Sequence, residues 1–185
     1  MTETATGLAP AASHGDPTVR EATAAELIEL GRVLVAAYSS LDGFASPEES
    51  PDYYRTLANV GAFAERPGVA VLVAVDAAGA VLGGVVSFGD MDEYGVRAEW
   101  PGLDRAGGIR LLGVSPDAQG RGIGRMLIEA CVLRARAAGL DQIVLHSTEP
   151  MRVARAMYER LGFAASPELD FTPGTLHVYG YRLAL

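Results

Sequence analysis

The sequence is short of cysteine, of long apolar runs and of positive charge, and each shortage removes a class of function. Its one cysteine, Cys131, has no partner for an internal disulfide, and no Cys/His spacing suits a metal site. That usage fits a reducing compartment, so a cytoplasmic location is expected. Cys131 itself falls within a helical pattern and reads as a small core hydrophobe. No apolar run approaches the ~20 residues needed to cross a bilayer. The first residues lack the charged-then-apolar layout of a signal peptide. Fifteen basic residues against 23 acidic ones leave a net charge of −8. That balance argues against nucleic acid, which wants a basic footprint, and mildly favours a cationic substrate.

What is present suffices for a folded domain. The hydrophobic fraction is 49% of 185 residues, enough for a core. Residues 1–17 are rich in Ala, Thr, Gly and Pro without periodicity and are expected to form a flexible tail; residues 18–185 read as one domain. Thr18 to Glu21 fits a short strand. Thr23-Ala24-Ala25-Glu26 is a capping box opening a helix to about Tyr38, with Leu27, Leu30, Leu34 and Ala37 on one face. Asp52 to about Ala64 reads as a second helix. Val69–Val75 is a continuous apolar run, as for a strand buried on both faces, and Ala80–Phe88 completes a hairpin with it. Two polar loops, Ser40–Pro51 and Asp90–Gly107, are long for structureless connections. Gly108–Val114 is a strand. A helix from Gly122 to about Ala138 is expected to bury Ile123, Leu127, Ala130, Cys131 and Leu133 or the Arg134 stem. Gln142–Ser147 (strand), Pro150–Arg160 (helix), a strand from Phe163 and a last strand over Leu176–Leu183 follow. Hairpins early and strand–helix–strand late predict a mixed α/β sheet.

The most informative stretch is Leu111–Gly124: apolar strand, Pro-containing turn, then a glycine-rich loop opening a helix. With no side chains at Gly120, Gly122 and Gly124, backbone N–H groups can approach a ligand. Those groups are also the unpaired donors of a helix start, where the dipole favours a phosphate. A Walker-type loop would need Lys and Ser/Thr after the last glycine, but Arg125 and Met126 follow Gly124. A dinucleotide fingerprint would need a third glycine where Arg125 stands; Asp141 lies near its expected acidic position. Gln119, Gly122 and Gly124 satisfy a third pattern, Gln/Arg-x-x-Gly-x-Gly/Ala. Further on, Ala154 to Phe163 carries a Tyr-bearing helix into Leu-Gly-Phe. In this order and spacing the two motifs resemble the GNAT superfamily of N-acetyltransferases, most sharply between Ile109 and Phe163.

The resemblance implies a GNAT-like fold with a splayed central parallel strand pair, Gly108–Val114 and Gln142–Ser147. It implies acetyl-CoA as co-substrate, its pantetheine arm beside the backbone of Leu112, Gly113 and Val114. The pyrophosphate would rest on Gln119, Gly120, Arg121, Gly122, Ile123 and Gly124, with Arg121 and Arg125 meeting phosphate oxygens. A backbone N–H near Val114 would hold the oxyanion, and Tyr158 would give a proton to the departing thiolate. The general base is open: Glu99 and Asp104 lead, with Asp92, Glu93, His146 or ordered water as alternatives. Where the family commonly has an Asn touching the cofactor arm, this chain has Met151, so Ser147 or Thr148 would serve instead. The expected acceptor is a small-molecule or peptide amine, with neither nucleic acid nor membrane as partner; a homodimer stays open. The competing functions are a non-catalytic acyl-CoA-binding domain and a dinucleotide-dependent oxidoreductase.

Overall fold

Alternating side chains of Val69–Val75 enter two separate apolar layers, which is why the run shows no polar face. A computed structural model, describing residues 16–95, 100 and 102–185, places this run in a seven-stranded sheet. Its strands are β1 (Thr18–Glu21), β2 (Val69–Val75), β3 (Val81–Phe88), β4 (Ala106–Val114), β5 (Gln142–Thr148), β6 (Ala164–Ala165) and β7 (Val178–Ala184). They lie in the order β1-β2-β3-β4-β5-β7-β6. Only β4 and β5 pair in parallel, and a parallel pair requires a long crossover. Here the crossover is helix α3 (Ile123–Ala137); the other helices are α1 (Ala24–Ser39), α2 (Pro51–Ala58) and α4 (Arg152–Arg160).

One face of the sheet buries Val71, Val73 and Val86 against Leu30 and Leu34 of α1. The other buries Leu72, Ala74, Ile143 and Leu145 against Ile123 and Leu127 of α3. Helix α1 starts on the expected capping box: the Glu26 N–H donates to Thr23 Oγ1, and the Thr23 N–H to Glu26 Oε2 at 2.8 Å. Missing side chains let α1 bed closely on the sheet. A Cβ on Gly84 would lie 2.6 Å from both Leu30 methyls, and one on Gly113 would lie 2.6 Å from Leu34 Cδ2.

Several boundaries differ from the sequence reading. The second helix ends at Ala58 and resumes as a 3₁₀ segment, Val60–Glu65. Strand β4 starts two residues earlier than expected. Pro150 precedes α4, and the strand after Phe163 is only two residues long. Helix α3 buries Ile123, Leu127, Ile128, Cys131 and Ala135, while Leu133 is 65% exposed. Its apolar stripe is thus rotated toward Ile128 and Ala135, because the helix lies over several strands. Cys131 is the core residue expected, and burial pushes its thiol up to about 12. Among the described residues no helix is long and apolar enough to cross a membrane.

Candidate active site

The parallel pairing of β4 and β5 runs from Ala106↔Gln142 to Ile109↔Leu145 and then stops. Beyond it, β4 remains paired with β3 as far as Val114, and β5 with β7 as far as Thr148. The two strands therefore part as a fork. A bulge marks the parting. Gly84 pairs with Gly113 but Val86 with Arg110, so Leu111 and Leu112 both face the single residue Val85. Leu111 takes a φ of 55° although its side chain is buried. Such a backbone costs about 1–3 kcal/mol and persists only when its surroundings enforce it. A bulge bends its strand and increases its twist. Here it accompanies an edge of β4, Arg110–Val114, left open to an extended ligand.

That edge leads into the glycine loop. After Val114 a 3₁₀ turn, Pro116–Ala118, delivers the chain to Gln119, whose Nε2 lies 3.5 Å from the Val114 carbonyl oxygen. Gly120 and Gly122 have φ of 74° and 81°, and a Cβ on either would meet no atom within 4 Å. They serve backbone conformation and open approach, not packing. Gly122 caps α3 without any side-chain hydrogen bond. The first helical bond runs from the Met126 N–H to the Gly122 carbonyl, so the N–H groups of Ile123, Gly124 and Arg125 have no helical partner. Gly124 instead faces Met157, where α3 meets α4. Arg121 is exposed; Arg125 is bonded to Glu129 at 2.7 Å.

Tyr158 comes from α4, its ring buried 5.9 Å from Phe163 and 6.3 Å from Tyr181 between centroids. One turn earlier, Arg155 anchors the helix to β7. Its Nε donates to the Tyr181 hydroxyl at 2.9 Å, its Nη1 to Glu149 at 2.7 Å, and its guanidinium lies 4.3 Å over the Tyr179 ring. Burial raises the Tyr158 phenol well above its ordinary value, so it stays protonated at neutral pH. On the β5 arm of the fork, the Ser147 and Thr148 hydroxyls are buried and have no hydrogen-bond partner. An unpaired buried hydroxyl costs free energy unless a ligand satisfies it.

The proposed bases fare differently. Asp104 is exposed, in the turn before β4. The fork opens beyond Ile109, at the other end of that strand, so about five residues of extended chain, roughly 16 Å, separate the two. Asp104 is thus not brought to the site: a loop position in sequence does not tell at which end of the sheet the loop lies. Glu99 lies outside the described residues. Glu93 is held by Arg66 at 2.6 Å, and Asp92 is exposed. His146 is half-buried, stacked 4.5 Å from Trp100, with both nitrogens engaged. Nε2 lies 3.0 Å from the Leu169 carbonyl, which only accepts, so Nε2 carries the proton and Nδ1 accepts from the Tyr94 hydroxyl at 2.7 Å. Burial lowers its pKa to about 4. Neither nitrogen is free to take a proton from an amine.

Two features escaped the sequence reading. Nothing in a leucine-rich strand signals a bulge at Leu111. Arg110, the one charge within β4, was visible as such, but its surroundings were not. Its Nη1 donates to the Tyr94 carbonyl at 3.0 Å. It lies on the α1 side of the fork, where Tyr38 and Tyr53 also pack, their rings 5.7 Å apart.

The model of the acetyltransferase (GNAT) family matches residues 34–163. The chain belongs to the GNAT acetyltransferase family. Among curated relatives, mycothiol acetyltransferase of Salinispora tropica is 40% identical over 94 residues, covering 50% of this chain and 28% of that protein. The same enzyme of Salinispora arenicola is 47% identical over 68 residues, covering 36% and 22%. The chain thus matches only about a quarter of the length of these relatives. Solved structures match its fold along almost their full length. A GNAT-family acetyltransferase from Staphylococcus aureus has a TM-score of 0.69 at 14% identity, covering 91% of this chain and 99% of that one. PaiA N-acetyltransferase from Thermoplasma acidophilum, in complex with coenzyme A, has 0.68 at 16%, covering 90% and 98%. The mixed sheet with its parallel pair is therefore the GNAT fold.

Proposed function

We propose that this GNAT protein transfers the acetyl group of acetyl-CoA directly to a primary amine, with residues 18–185 acting as one domain. The carrying observation is the open β4 edge running straight into the unpartnered N–H groups at the start of α3. The edge suits an extended amide-bearing arm added like a strand beside Leu112, Gly113 and Val114. The loop Gln119–Gly124 suits a pyrophosphate, whose charge the helix start favours. Arg121 is free to meet it, and Arg125 can exchange Glu129 for it. The Ser147 and Thr148 hydroxyls offer the polar contact that Met151 cannot make.

In this reading the amine lone pair attacks the thioester carbon and the developing oxyanion is held by a backbone N–H near Val114. The C–S bond then breaks, and the thiolate takes its proton from Tyr158. The amine's own proton leaves to Glu99 or to water, since Asp104 and His146 are out of reach or engaged. Thiol release from acetyl-CoA on adding a panel of amines tests this reading. The chain has no lysine, so no side-chain amine of its own competes. Amine-dependent thiol release is expected. Acetyl-CoA binding with no thiol release from any amine would mark a binding module instead.

A further inference from the structure

Arg110 stands at the root of the fork, and among the described residues it has no counter-ion. It is the first residue after the parallel pairing ends and directly precedes the bulge. Of its five N–H donors, one is spent on the Tyr94 carbonyl, and its guanidinium lies 5.6 Å from the Tyr94 ring centroid. Among the described residues no carboxylate pairs with it. Its electrostatic neighbours are the hydroxyls of Tyr38, Tyr53 and Tyr94 and the ring of His146. Burial is the main influence on each of them, and the Arg110 charge is felt at all four. All are neutral at physiological pH. Tyr38, Tyr53 and Tyr94 are also in electrostatic contact with Tyr158, so tyrosines adjoin both the guanidinium and the proposed thiolate acid.

A half-buried guanidinium with no paired charge among the described residues is costly unless something completes it. In a chain of net charge −8, no carboxylate among the described residues is paired with it. We propose that the acceptor amine carries an anionic group, a carboxylate or a phosphate, and that Arg110 binds it on the α1 side of the fork. The inference rests on the acetyl-transfer reading above and narrows its acceptor class. A guanidinium matches the two oxygens of either group with paired N–H donors. It also opposes the expectation, drawn from net charge alone, of a plainly cationic substrate: the overall balance is acidic, while the described groups that feel the Arg110 charge are tyrosines and His146.

The test compares kcat/KM, corrected for free-amine concentration, within matched pairs. L-Leucine is paired with L-leucinamide, and O-phosphoethanolamine with ethanolamine. The anionic member should be preferred by about 10- to 100-fold, the yield of a charge-assisted pair. The pair showing the larger ratio identifies carboxylate or phosphate. R110Q should collapse that ratio to near one with acetyl-CoA affinity unchanged, and R110K should keep part of it. Isovalerate, which lacks an amine, should compete with the amine and not with acetyl-CoA. That arm and the wild-type ratios decide the matter even if R110Q fails to fold. Equal use of both members, or a ratio that survives R110Q, overturns the assignment while leaving acetyl transfer standing. Acetyl-CoA binding with no thiol release from any amine overturns both.

Discussion

Gly122 and Gly79 form a matched pair for testing the phosphate loop. Gly122 has a φ of 81° and Gly79 a φ of 84°, and a Cβ on either meets nothing within 4 Å. The Cβ of a valine at either position therefore meets no atom, and the cost is chiefly the left-handed backbone, at least about 1–2 kcal/mol. For a domain of this size that amounts to a fall in Tm of about 2–8 °C. Gly79 lies in the β2–β3 turn, braced by Asp76 Oδ1 accepting from the Ala78 and Ala80 N–H groups at 2.9 Å. Gly122 lies where the pyrophosphate is proposed to rest. Losing a single charge-assisted bond there, worth about 1.5–3 kcal/mol, weakens binding by about 10- to 100-fold. Calorimetric titration with acetyl-CoA and thermal unfolding of the free proteins separate the two effects. Both variants should unfold at similarly reduced temperature, and only Gly122→Val should lose acetyl-CoA. Parental affinity in a folded Gly122→Val protein refutes the loop assignment. Equal loss in both variants refutes the reasoning that separates site from scaffold.

Tyr158→Phe keeps the buried ring and removes the proton; turnover in a chemistry-limited assay should fall by ~10²–10⁴ with acetyl-CoA affinity little changed, and near-parental turnover would leave Tyr158 a packing residue. His146 is neutral in the native state down to about pH 4, against an ordinary value of 6.5. Between those values the unfolded chain binds the extra proton, so stability should fall as pH drops from about 6.5 to 4 and level off below. An NMR titration of the His146 ring with a midpoint near 6.5 would contradict the half-buried, doubly bonded imidazole. Gly84→Ala sets a Cβ 2.6 Å from the Leu30 methyls and 2.7 Å from the Leu72 carbonyl oxygen; denaturant unfolding should show a loss of about 1–3 kcal/mol.

The parts legible in the sequence are those governed by local rules. The Thr23/Glu26 box, the glycines before α3 and the apolar run of β2 each state their own backbone requirement within a few residues. The order of motifs, loop then Tyr-bearing helix, carried the parallel β4–β5 pair. What could not be read depends on non-local packing. Leucine has no preference for a left-handed backbone, so the Leu111 bulge is enforced by β3 and by α1 pressing on Gly84 and Gly113, not by its own chemistry. Asp104 was a candidate base as a carboxylate of the long loop Asp90–Gly107, yet β4 carries the chain away from it toward the fork. His146 was one alternative base, but Trp100, Tyr94 and Leu169, from distant parts of the chain, converge to occupy it.

A crystal structure of the complex with coenzyme A tests the central claim most directly. The pantetheine arm should lie in the fork beside Leu112 and Val114, the pyrophosphate on the N–H groups of Gly120 to Gly124, and the thiol within hydrogen-bonding reach of the Tyr158 hydroxyl. Coenzyme A bound elsewhere, or a fork closed by continued β4–β5 pairing past Ile109 and Leu145, would contradict it.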